Sequence, residues 1–263
     1  EVYMLNDARV GKSLYGVARH LSITNPWHVP GYFIVINLWH RLFDWIWLPF
    51  LIRVPALFAG MLALAFAYRF GRDHFSPRIG LLITFIVAVS NLFIVFLHEA
   101  RMYSTNIMLT AFLMWWYLRI IDERKTITWK SYALLLVGFI SAIYTHYFML
   151  TVLAGIGIFH LIAAPKNGRY WRVIGVGIVA LVSFIPWVFT LIRVLERMSV
   201  TEIPNTYTLT QLITEIGRIF SHGYTPLLLV IMGVSVFAFR YLDKRARFNF
   251  LATWSVLVIA VVI

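Results

Sequence analysis

The sequence predicts an all-α protein, a polytopic transmembrane helical bundle with interfacial helices on its non-cytoplasmic face. Three observations predict this class. The chain is 61% hydrophobic, with a mean hydropathy of +0.80, which is well above the apolar share of a soluble domain. Apolar runs near the ~20 residues that a helix needs to cross a ~30 Å hydrocarbon core recur along the whole length. The basic residues behind the net charge of +12 lie mostly in short loops between those runs.

Eight apolar runs predict eight spans, and the charges of the connecting loops orient them. The spans lie near 53–70, 79–97, 104–119, 131–145, 147–164, 173–193, 225–240 and 249–263. Most Lys and Arg residues lie in four loops, at 69–78, 119–130, 165–172 and 240–248. The positive-inside rule places these loops in the cytoplasm. The opposite side then holds residues 1–52, 98–103, the turn near 145–147, and 194–224.

Two helices are predicted to lie on the membrane surface rather than cross it. Residues 31–43 are apolar but shorter than the ~20 residues of a span. Counting them as a crossing would also move loop 69–78 to the non-cytoplasmic side, against its positive charge. Residues 208–221 carry apolar positions at helical spacing, which predicts a second, amphipathic interfacial helix.

One membrane domain therefore covers residues 1–263. It divides into a first outer loop (1–52), a six-span core (53–193), a second outer loop (194–224) and two last spans (225–263). Glu1 is not an initiator Met, and residue 263 lies inside an apolar run, so we expect a fragment of a longer protein. The absence of Cys excludes disulfides, thiolate chemistry and Cys-ligated metal.

The polar residues of the non-cytoplasmic side predict the functional site. The charged hexapeptide His98–Tyr103 stands between two apolar runs, where ionisable groups are costly and usually mark a site. The turn 144–147, residues 25–30 and the carboxylates Glu1 and Asp7 are predicted on the same side. A carboxylate there can act as a general base, and the planar guanidinium of Arg101 suits a phosphate group.

Four motifs in order resemble a known family. They are His28-Val29-Pro30, LIRVPALFAG at 51–60, YRFGR at 68–72 and EARMY at 99–103, with YTHY at 144–147 as a further piece. This order is similar to that of the multispanning GT-C glycosyltransferases. It is most similar to the glycosyltransferase family 39 group, which includes protein mannosyltransferases and has lipid A aminoarabinose transferases as relatives. The similarity covers about residues 25–121 and fades after about 170.

The resemblance implies a transferase that moves a sugar from a polyprenyl-phosphate donor to an acceptor hydroxyl on the non-cytoplasmic face. In that family an Asp-Glu pair opens the first outer loop. Glu1 matches the Glu of the pair, its Asp would precede Glu1, and Asp7 is the nearest carboxylate present. The implied site has catalytic carboxylates at Glu1, Asp7 and Glu99, donor-phosphate contacts at His28 and Arg101, and a sugar pocket lined by Tyr103, His146 and Tyr147.

Alternative functions stay open at the level of sequence. A noncatalytic subunit or pseudoenzyme of a larger membrane complex would share the same fold. A transporter fits less well, because the span interiors are apolar apart from Asn91, Asn106 and a few hydroxyl residues. The basic residues lie in short loops, which excludes a nucleic-acid face. The expected partners are a polyprenyl-phosphate-linked sugar, membrane lipid, an acceptor of unknown class and further membrane proteins.

The sequence says less about metal binding and about the roles of single residues. Glu99, His98, His28 and His146 are suitable ligand types for a divalent ion, but no pair has i, i+4 spacing. The sequence therefore predicts no certain cofactor and leaves a divalent metal open. Arg101 could instead be a snorkelling interfacial residue. His160, which lies on an apolar helix, is expected to be structural.

Overall fold

The protein is described here by a computed structural model, which places residues 8, 13–43, 45, 48–197, 210–211, 248–249, 251 and 253. Within these residues the regular secondary structure is entirely helical, which confirms the predicted all-α bundle. In chain order the helices are α1 (Leu14–Thr24), α2 (Gly31–Leu42), α3 (Leu48–Leu51), α4 (Val54–His74), α5 (Pro77–Ala88), α6 (Asn91–His98), α7 (Tyr103–Ile121), α8 (Trp129–Thr145), α9 (Met149–Ala163) and α10 (Gly168–Arg197).

Two of the described helices are long and apolar enough to cross a membrane, namely Val54–His74 and Gly168–Arg193. Shorter apolar helices occupy Pro77–Ala88, Trp129–Thr145 and Met149–Ala163. The predicted spans 225–240 and 249–263 and the amphipathic helix 208–221 fall almost entirely outside the described residues. The predicted surface helix at 31–43 corresponds to α2, which has 12 residues.

The predicted span 79–97 consists of two helices rather than one. α5 ends at Ala88, and Ser90, with extended backbone, precedes α6. The Ser90 N–H bonds to the Val87 carbonyl, three residues earlier, and the Ile94 N–H then bonds to the Ser90 carbonyl. A new helix therefore begins at Asn91 where the apolar pattern alone predicted a continuous one.

The main core forms around α7 and α8. Leu113, Tyr117, Ile120 and Leu135 are almost completely buried there, and α4, α9 and α10 contribute further apolar residues. Close packing against α5 depends on glycine, because a Cβ on Gly71 would lie only 2.6 Å from the Cα of Gly80. His160 lies in this core as expected for a structural residue: it is 3% exposed, and its ring nitrogens meet the Tyr117 hydroxyl and the Tyr170 carbonyl.

Loops 69–78, 119–130 and 165–172 lie together at one end of the bundle, called the basic end below. The indole N–H of Trp115 donates to Asp73 at 2.9 Å, which ties α7 to the end of α4. The Arg169 guanidinium donates to the carbonyls of Ile120, Asp122 and Lys125, and so caps the end of α7. A cation at a helix C-terminus interacts favourably with the helix dipole.

Candidate functional site

Three predicted site segments meet at the other end of the bundle, called the site end below: residues 25–30, 98–103 and 144–147. Val29, Ala100, Met102 and Ile143 belong to one buried apolar cluster, and Tyr144 and Tyr147 pack against it. This cluster brings together segments that are far apart in the chain. The segments that contain the predicted polar residues therefore pack on the same apolar cluster.

The hexapeptide alternates buried and accessible side chains. Ala100 and Met102 are buried, Arg101 between them is exposed, and Glu99 and Tyr103 are half-buried. α6 ends at His98, after which Glu99 adopts extended backbone and its carbonyl accepts a 2.8 Å hydrogen bond from the Arg101 N–H. The chain therefore leaves the helix before Arg101, and the two buried neighbours hold the exposed cation in place.

The start of α7 is braced against α6. The Ser104 hydroxyl donates to the Phe96 carbonyl at 2.8 Å, and the Tyr103 ring stacks on Phe96 with centroids 4.3 Å apart. These contacts join the helix before the hexapeptide to the helix after it. They fix Tyr103 beside the segment that carries Glu99 and Arg101.

Glu99 and Arg101 do not pair with each other. Among the residues that the structure describes, neither side chain forms an ion pair or a hydrogen bond. The Arg101 guanidinium therefore has all five N–H donors available for a ligand. The Glu99 carboxylate is likewise available to accept a proton or a hydrogen bond.

His146 lies next to Tyr103, with ring centroids 6.3 Å apart. Its Nδ1 accepts a hydrogen bond from the Phe148 backbone N–H at 3.1 Å, so the neutral ring carries its proton on Nε2. Burial lowers the pKa of His146 from its ordinary value, and the charge of His28 lowers it further. The structure thus brings His28, His146 and Tyr103 to one place, and it favours His146 as a neutral hydrogen-bond donor.

Tyr147 holds the site together through its hydroxyl. This hydroxyl donates to the Pro26 carbonyl at 3.0 Å and accepts from the indole N–H of Trp187 at 2.8 Å. Its one proton is therefore engaged, while its ring packs against the apolar cluster. The contact fixes segment 25–30, and with it His28, against the turn and α10.

Two residues of the site end were not predicted from the sequence. Trp187 is 7% exposed and joins α10 to Tyr147; its position next to Pro186 in an apolar span gave no sign of this role. Tyr32 is 2% exposed, and its hydroxyl has no hydrogen-bond partner in the described part of the chain. Burial raises the pKa of Tyr32, so it stays a neutral phenol.

Glu1 and Asp7 lie outside the described residues. The next residue, Ala8, is fully buried in the cluster that supports the site. Its carbonyl accepts a 2.9 Å hydrogen bond from the buried Asn37 amide of α2. The chain that carries Asp7 is therefore anchored at the site end immediately after that residue.

Comparison with known families decides the assignment of this fold. A family model described as dolichyl-phosphate-mannose-protein mannosyltransferase matches residues 27–189, which is more than half of the chain. The chain belongs to this family. The match confirms the resemblance seen in the ordered motifs and implies a GT-C glycosyltransferase. No curated protein and no solved structure matches the chain.

The mannosyltransferase match includes every site residue that the structure places. It begins one residue before His28, contains the hexapeptide and the turn, and ends two residues after Trp187. In the described part of this family member, no three His, Asp or Glu side chains form a group that could hold a metal ion. Whether a divalent metal takes part stays a prediction.

Proposed function

We propose that this family member transfers a sugar from a polyprenyl-phosphate donor to an acceptor hydroxyl on the non-cytoplasmic face of the membrane. The observation that carries the proposal is Arg101, an exposed cation held between two buried residues and two positions before Tyr103, whose ring lies near His146. A guanidinium matches phosphate oxygens bidentately. The family description names dolichyl-phosphate-mannose, so a mannose donor is the first to be tested.

A multi-pass topology is supported by α4 and α10, the two described helices that are long and apolar enough to cross a membrane, and by the course of α7 and α8 between the two ends of the bundle. α7 runs from Tyr103 at the site end to Ile121 at the basic end, and α8 runs back from Trp129 to Thr145. At 1.5 Å per residue, the 19 residues of α7 extend about 28 Å, which is close to the ~30 Å hydrocarbon core. If the basic end is cytoplasmic by the positive-inside rule, the site end is non-cytoplasmic.

The transfer would be a displacement at the anomeric carbon of the donor. The acceptor oxygen forms a bond to that carbon while the bond to the phosphate oxygen breaks, and the electron pair leaves with the polyprenyl phosphate. Arg101 would bind that phosphate and stabilise its growing negative charge, an electrostatic contribution that is often the largest in catalysis. His28 would lie beside the same phosphate.

The proton of the acceptor hydroxyl would pass to a carboxylate. Glu99 is the described candidate, because its side chain is half-buried and unpaired next to Arg101; Glu1 and Asp7 are the candidates from the opening segment. Tyr103 and neutral His146 would line the sugar pocket, where the Nε2–H of His146 can donate to a sugar hydroxyl. Tyr147 would line the same pocket with its ring, and its hydroxyl would keep segment 25–30 in place beside it.

The test is sugar transfer by the full-length protein in native lipid, with radiolabelled polyprenyl-phosphate sugars as donors. We expect Arg101→Ala to lose at least about tenfold in transfer rate, because charge-assisted hydrogen bonds contribute about 1.5–3 kcal/mol each. Arg78→Ala removes an exposed arginine at the basic end and should behave as the wild type.

The outcomes separate the two candidate functions. Transfer that depends on Arg101 establishes the enzyme and identifies the sugar. Transfer that is equal in the Arg101 and Arg78 variants would remove Arg101 from the mechanism. Donor binding without transfer from any donor would favour the noncatalytic subunit of a larger membrane complex.

A further inference from the structure

An apolar crevice opens between α9 and α10 and reaches the apolar cluster that supports the candidate site. It has a volume of about 450 Å³, and its floor is formed by Phe139 and Ile143 of α8. Leu161 and Ile178, on its two walls, are more than half exposed. The crevice therefore faces the surrounding medium sideways, as a lipid-facing groove would.

The crevice occupies most of the length of α9. On α9 it runs from Leu150 to Leu161, and on α10 from Val173 to Leu181. These stretches rise about 16 Å and about 12 Å, close to half of the ~30 Å hydrocarbon core. Towards the site end, the Trp187–Tyr147 hydrogen bond joins α10 to the turn that precedes α9.

A cation lies where the crevice reaches the basic end. The exposed Lys166 ammonium donates to the carbonyl of Leu161, which is itself a wall residue, and lies 4.0 Å from the centre of the Tyr170 ring. One of its three N–H donors is used by this hydrogen bond, so others can bind an anion. Trp171, which is 67% exposed, lies at the same level, as aromatic residues do at the membrane interface.

We infer that the crevice is a binding site for an anionic glycerophospholipid from the leaflet at the basic end. One acyl chain lies between α9 and α10, and the lipid phosphate lies on Lys166. The apolar walls, their length and the charge at the mouth all fit this occupant. Its phosphate binds at the opposite end of the bundle from Arg101. The inference depends on the membrane placement of the bundle and not on sugar transfer.

Two glycines of α10 provide a matched test of the acyl-chain contact. A Cβ on Gly177 or on Gly175 would meet no atom within 4 Å, and of the two only Gly177 lines the crevice. Gly177→Leu should therefore fill the crevice, whereas Gly175→Leu places the same side chain on the same helix outside it. Both changes favour the helical conformation over glycine.

The measurement is native mass spectrometry of the full-length protein, purified in mild detergent and incubated with phosphatidylglycerol or phosphatidylcholine. The wild type and Gly175→Leu should retain phosphatidylglycerol, and Gly177→Leu should lose it. Lys166→Ala should reduce the preference for phosphatidylglycerol over phosphatidylcholine about fivefold. Lys130→Ala, which removes another exposed lysine at the basic end, should leave the preference unchanged.

Three outcomes would overturn the inference. Equal phosphatidylglycerol retention by the Gly177 and Gly175 variants would show that the crevice holds no lipid chain. If Lys166→Ala keeps the preference for phosphatidylglycerol over phosphatidylcholine, Lys166 does not bind the lipid headgroup. This test applies even if Gly177→Leu does not fold. A dimer that only Gly177→Leu dissociates, or a retained polyprenyl phosphate that only Gly177→Leu loses, would identify a different occupant.

Discussion

At the scale of single residues, Arg101 shows how an apolar bundle presents a charge. Ala100 and Met102 are buried on either side of it, so the backbone is fixed while the guanidinium stays exposed. The extended backbone at Glu99 ends α6 before Arg101, so the cation lies outside the helix.

Tyr147 should stabilise the site end through its hydroxyl. Tyr147→Phe leaves the Trp187 indole N–H without its partner in a buried position, which costs about 1–3 kcal/mol. We expect a lower unfolding temperature in detergent and slower sugar transfer, because segment 25–30 is released. Tyr15→Phe, which removes a hydroxyl from a side chain that is 75% exposed, is the control. Equal unfolding temperatures for both variants would show that the Tyr147 hydroxyl contributes no stability.

The pair His28 and His146 predicts a pH effect. Because the charge of His28 contributes to the lowered pKa of His146, His28→Ala should raise the pKa of His146 towards 6.5. Between the lowered pKa and 6.5, the unfolded chain binds a proton that the folded protein does not bind. Stability therefore falls as the pH falls through this window, and the fall attributable to His146 should be smaller in the variant.

This pKa can be followed by NMR titration of protein labelled at histidine carbons, with resonances assigned by His146→Gln. His20→Ala, on α1, is the control and should leave the His146 titration unchanged. If the pKa of His146 does not move in His28→Ala, the two rings are not electrostatically coupled.

At the scale of helices, the crossing of α4 and α5 depends on two small residues. Gly71→Ala would place a methyl group 2.6 Å from the Cα of Gly80, and overpacking of this kind costs about 1–3 kcal/mol. The variant should unfold at a lower temperature. Gly175→Ala adds the same methyl group where no atom lies within 4 Å and should be neutral or stabilising. Similar unfolding temperatures for the two variants would contradict this packing.

The helices also show how far an apolar pattern predicts structure. The turn at 144–147 was predicted because an even number of crossings had to lie between two basic loops, and the structure ends α8 at Thr145 and begins α9 at Met149. The break at Ser90 was not predicted, because the hydropathy of 79–97 stays high across it. Hydropathy measures transfer from water, whereas this helix break is a change of backbone conformation at Ser90.

At the scale of the molecule, the basic loops lie at one end of the bundle and the candidate site residues lie at the other. The charge of loops 69–78, 119–130 and 165–172 predicted that they share a face, and the Trp115–Asp73 and Arg169 contacts join them at the basic end. At the site end, the residue types in the motifs predicted His28, Arg101 and His146. Trp187 and Tyr32 could not be predicted, because their roles arise from contacts between distant helices and leave no local pattern.

The most direct measurement of the central claim is the affinity of the full-length protein for a polyprenyl phosphate, compared between wild type and Arg101→Ala. The account predicts binding that is roughly tenfold or more weaker in Arg101→Ala, from the loss of charge-assisted hydrogen bonds to the phosphate. Arg78→Ala should bind as the wild type does. Equal affinities for all three proteins would contradict the assignment of Arg101 to the donor phosphate.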